Sequence, residues 1–76
     1  MDLDNLVVMA NRIGSFFEAL PDRDEALAGI AEHVKKFWEP RMRAQILAAL
    51  DSGADTGLSE IVHAALVRHR AALQPA

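Results

Sequence analysis

Pro21, Pro40 and Pro75 divide the 76-residue chain. The residue before a proline avoids the α region, so each proline marks where one helix stops or the next begins. Between these points no polar–apolar alternation appears. Tyrosine is absent, valines are few, and alanine and leucine dominate, which is the composition of helices rather than strands. The pattern predicts an all-α fold, a small bundle of three to four short helices at about 3–20, 22–38, 40–51 and 58–72.

Each segment carries an apolar stripe. Leu3, Leu6, Val7, Ala10, Ile13, Phe17 and Leu20 recur at three and four residues, with Asp2 or Asp4 placed as the N-cap. Met9 and Phe16 lie about 100° from the middle of that stripe at 100° per residue, widening the apolar surface. Asp22 followed by Glu25 makes a capping-box-like start for the second helix, whose inner face is Ala26, Leu27, Ile30, Ala31, Val34, Phe37 and Trp38. Phe37 and Trp38 project about 100° apart on one wheel, so both cannot enter one small core. Pro40 suits the first turn of a third helix, where its missing N–H would have no partner. Met42, Ile46, Ala49 and Leu50 line that helix. Arg43 falls inside the apolar sector, where a guanidinium needs a carboxylate or a carbonyl. Residues 51–57 form a surface turn with Gly53 as the C-cap. Leu58, Ile61, Val62, Ala65, Leu66, His69 and Leu73 then draw the cleanest stripe of the chain.

One domain, residues 1–76, is all this length allows, and residues 67–76 read as a frayed C-terminal tail. A folded monomer of 8.3 kDa should expose about 4,600 Å² and hide only roughly 60% of its extended surface. Such small cores usually need a disulfide, a metal or a partner. Cysteine is absent, which closes the first route and removes the commonest zinc ligands, so the reading is a chain completed by a partner. With 51% apolar and 25% charged residues it is too hydrophobic for intrinsic disorder, and no apolar run approaches the ~20 residues of a membrane span. Met1, Asp2, Leu3 and Asp4 place acid where an export signal carries basic residues, so the expected location is cytoplasmic.

The net charge of −3 is unevenly spread. Residues 1–32 carry −5, residues 33–50 carry +3 and residues 51–76 carry −1. Lys35, Lys36, Arg41 and Arg43 therefore form a basic island between acidic ends, too small for nucleic-acid binding on charge grounds.

No catalytic constellation can be assembled. His33, His63 and His69 have no mutual three- or four-residue spacing for a helical metal pair. His69, on an apolar face, reads as a satisfied core or interface histidine, and His33 and His63 as solvated. Helix capping accounts for Thr56 or Ser59. The expectation is no enzyme activity, and no metal or cofactor on this chain.

The stretch from Lys35 to Arg43 holds the single tryptophan, a methionine and four cations around a helix break, and Trp, Met and Arg are enriched at interface centres. The expected partner-binding residues are Met9, Phe16, Phe37, Trp38, Pro40, Arg41, Met42 and Arg43. Phe37 and Trp38 are the anchors, Met9 and Phe16 a second edge, and the arginines partners for carboxylates or carbonyls. The basic residues share their neighbourhood with Glu32 and Glu39, which suits a protein groove better than a membrane. The alternatives are a small DNA-binding regulator with a helix-turn-helix at Pro40, which is poor in base-reading residues because 44–50 offers only Gln45, and a self-associating bundle.

Three strings carry a family likeness: Leu6 to Phe17 (LVVMANRIGSFF), Gly29 to His33 (GIAEH) and, most specifically, Phe37 to Arg43 (FWEPRMR). Together they resemble the delta subunit of bacterial NAD-dependent formate dehydrogenase, from the N-terminus to about Leu66. The matching residues are Met9, Ala10, Asn11, Ile13, Phe37, Trp38, Pro40, Arg41, Met42 and Arg43. The resemblance implies a non-catalytic accessory subunit of a cytoplasmic complex, docked on the large catalytic subunit. It also implies that other subunits hold a molybdenum or tungsten bis-pyranopterin, iron–sulfur clusters and FMN, and oxidise formate to carbon dioxide with NAD⁺. A chain without cysteine has no thiolate for such a cluster.

Overall fold

The structure is a computed structural model that describes residues 2–75. It contains helices and no strand among those residues: α1 (Leu3–Phe17), α2 (Arg23–Phe37), α3 (Pro40–Asp51), α4 (Glu60–Arg68) and a single turn, α5 (Arg70–Leu73). The fold is therefore a small all-α bundle, with extents of 31 × 26 × 20 Å and an accessible surface of 4709 Å².

The ends of the helices follow the local chemistry. Asp2 caps α1 by accepting from the Asp4 N–H at 3.2 Å, and Asp22 caps α2 by accepting from the Glu25 N–H at 3.2 Å, each satisfying a donor that a first turn leaves orphaned. Pro40 stands at the first position of α3. Gly53, at φ +74° just past α3, occupies the left-handed region that lets a chain leave a helix sharply. Before α4, the Thr56 hydroxyl accepts from the Leu58 N–H. Ser59 occupies the N-cap position, but its side chain makes no capping bond. The carboxamide of Asn11 grips this loop instead, donating to the Gly57 carbonyl at 3.0 Å and accepting from the Ser59 N–H at 2.8 Å.

α2 is the central element, packed against α1, α4 and α5, while α3 leans on α1. Leu6, Ile30, Val34, Ile46, Val62, Leu66 and Leu73 are the largest fully enclosed side chains. Helices α1 and α4 approach closely at Gly14, where a Cβ would come within 2.5 Å of Val62 Cγ2.

Two boundaries differ from expectation. α1 ends at Phe17, three residues short of Leu20. The last stripe is broken at His69, whose φ of −106° and ψ of 21° divide α4 from α5. That break turns the tail back, so Leu73, in the segment expected to fray, is buried at 1% exposure. An ion pair with two contacts, Arg70 to Asp51, ties α5 to the end of α3.

Candidate functional site

The stretch around Pro40 is a built corner. The α region is disfavoured for a residue before proline, and Glu39 is extended at φ −63° and ψ 153°. Trp38 has already left the helix at φ −91° and ψ 135°. Its side chain therefore does not follow the wheel phase of α2, and it enters the core with 5% exposure. Phe37, the last helical residue, stays outside at 68%. The sequence expectation of two neighbouring aromatic anchors thus divides into one core residue and one surface residue.

Arg43 closes the corner from the other side. Its Nη1 donates to the Lys35 carbonyl at 3.2 Å, one of the acceptors that the last turn of α2 leaves without a helical partner. The carbonyl that the apolar setting of Arg43 called for is thus supplied from within the chain. Pro40 and Arg41 are exposed, and Met42 is half-buried against the core. The exposed side of α3 continues through Ala44, Ala48 and Asp51, which offer no donor pair for reading base edges.

The second edge is formed where α1 meets α2. Phe16 is 74% exposed, and its ring meets that of Phe17 edge-on at 5.1 Å. On α2, four residues before Phe37, His33 lies with its ring 4.7 Å from the Phe37 ring and tilted by 44°. Two shallow pockets flank this pair of helices. One, of about 230 Å³, is bounded by Phe17, Gly29, Glu32, His33, Lys36 and Phe37. The other, of about 240 Å³, is bounded by Ile13, Phe16, Phe17 and His33. Phe17 and His33 line both, so Phe16 and Phe37 belong to one continuous aromatic face. Its charged margin is the Lys36–Glu32 pair, separated by 3.9 Å. Met9 is half-buried against the core one turn before Ile13.

Sequence reasoning named Phe16 and Phe37 but not Phe17, Gly29 or His33 as parts of this face. The spacing held the signal: Gly29, His33 and Phe37 are four residues apart, and such positions share a helix face. No cluster of three or more His, Cys, Asp or Glu residues able to hold a metal occurs among the described residues. No described helix is long and apolar enough to cross a membrane.

Residues 5–66 match the model of the NADH-dependent formate dehydrogenase delta subunit family, FdsD. The chain belongs to the FdsD family. The matched segment runs from α1 through Leu66 and contains both the Pro40 corner and the aromatic face, whereas α5 and Leu73 lie beyond it. No curated protein and no solved structure matches the chain. As an FdsD-family delta subunit, the protein is a component of a formate dehydrogenase complex and has partner subunits.

Proposed function

We propose that this delta subunit is a non-catalytic accessory chain that docks on the large catalytic subunit of a cytoplasmic NAD-dependent formate dehydrogenase and stabilises the assembled complex. The observation that carries the reading is the aromatic face. Phe16 and Phe37 leave 74% and 68% of their surfaces in water on one side of a chain that holds only a small core. Covering aromatic surface is the strongest source of association free energy such a chain possesses. Membership of a family of dehydrogenase subunits supports a neighbouring subunit as the surface that covers it.

Phe16 and Phe37 are the anchors in this reading, with Phe17, His33 and Met9 extending the contact. Pro40, Arg41 and Met42 form a second margin near the α2–α3 corner. Trp38 and Arg43 act one step removed, by holding the corner from which Phe37 projects. In this reading the other subunits hold the molybdenum or tungsten bis-pyranopterin, the iron–sulfur clusters and FMN, and carry out the oxidation of formate by NAD⁺.

The test is to produce the catalytic subunit with and without this chain. The proposal expects the two to co-purify and the catalytic subunit to melt higher in company. A chain that elutes alone, with no change in the catalytic subunit's melting, contradicts it.

A further inference from the structure

We infer that the docking face carries its own pH sensor, His33, and that acidification weakens the subunit's hold on its neighbour. The inference rests on the docking reading above and adds a regulation to it.

His33 is the ionisable ring at the middle of the face. It bounds both pockets and packs on Phe37, so a partner that fills either pocket covers it. The groups around it offer little to a covered cation. Ile13, Phe16 and Phe17 face it from α1 without a charge among them. On α2 its charged neighbours are Glu32 and Lys36, which pair with one another across one helical turn and largely cancel. Both side chains are more than two-thirds exposed, where water screens what remains.

Histidine is the side chain whose charge changes between pH 5 and 8. Removing its ring from water disfavours the charged form. Docking on an apolar partner therefore selects neutral His33, and a protonated ring must lose its proton before the face can close. The sign follows: binding is tighter at pH 8 than at pH 5.5.

The experiment measures binding of the full-length labelled chain to the remaining dehydrogenase subunits at pH 8 and pH 5.5, for the wild type, His33→Gln and His63→Gln. The expected result is a severalfold weakening on acidification in the wild type and in His63→Gln, and a flat response in His33→Gln. A flat wild-type response, tighter binding in acid, or an unchanged slope in His33→Gln overturns the inference. Phe37→Gln, measured at pH 8, reads the underlying docking proposal separately. Weak binding by this variant beside a flat wild-type pH response sinks the sensor alone, whereas wild-type affinity in it sinks the docking face and the sensor with it.

Discussion

The ring of Phe17 lies directly over Gly29, so that a Cβ on residue 29 would come within 2.5 Å of Cε1 and 2.6 Å of Cδ1. Glycine inside a helix costs about 1 kcal/mol relative to alanine. At this position it lets the two helices that carry the aromatic face approach each other. Gly29→Ala should therefore gain in helix propensity what it loses in displacing Phe17, keeping its melting temperature within a few degrees of wild type. Because Phe17 bounds both pockets, affinity for the remaining subunits should fall about tenfold. Wild-type affinity in the folded variant would show that the ring's position is irrelevant to docking.

Gly14 presents the opposite case, a glycine serving the core. A Cβ there meets Val62 Cγ2 at 2.5 Å and Ile61 Cγ2 at 3.3 Å, and both valine and isoleucine are buried. Overpacking of this kind costs about 1–3 kcal/mol, only partly offset by helix propensity. Thermal unfolding of Gly14→Ala should have a midpoint roughly 5–10 °C lower, with binding of the remaining folded protein unaffected.

Trp38→Ala should behave as a folding mutation. It removes a buried indole, a change that costs about 3–5 kcal/mol and is severe for a domain this small. Arg43→Ala loses the bond to the Lys35 carbonyl, at about 1–2 kcal/mol. Circular dichroism should find the first variant largely unfolded when isolated. The second should be folded, with a midpoint several degrees lower. A fully folded Trp38→Ala chain that fails to join the complex would return the indole to the interface.

Removing residues 69–76 tests the tail in the same way. Leu73 is enclosed in the core and Arg70 is paired with Asp51, so the truncated chain should lose about 2–4 kcal/mol. A frayed tail would leave the urea midpoint where it was.

The sequence carried the architecture because the punctuation is strong. Prolines and acidic caps bound α1, α2 and α3 to within a few residues, and apolar stripes set the inner faces. It read Trp38 as a second anchor beside Phe37 because a helical wheel assumes a helix, and the chain has left the helix at Trp38 to accommodate Pro40. Leu73 sat on the periodic stripe of the last segment, yet its burial depends on a break at His69 that periodicity does not encode. The aromatic face was half visible. Exposed aromatic edges at Phe16 and Phe37 followed from excess apolar perimeter, but their union through Phe17 and His33 depends on which flank of α1 meets α2, a relation between helices rather than within one.

The most direct measurement of the central claim is the stoichiometry of this chain in the purified complex after Phe16→Gln and Phe37→Gln are combined. Both side chains are mostly in water, and glutamine is a good helix former, so the isolated variant should keep the wild-type circular dichroism spectrum and melting midpoint. The account predicts that this folded chain is lost from the complex. Recovery at the same molar ratio as wild type would contradict it.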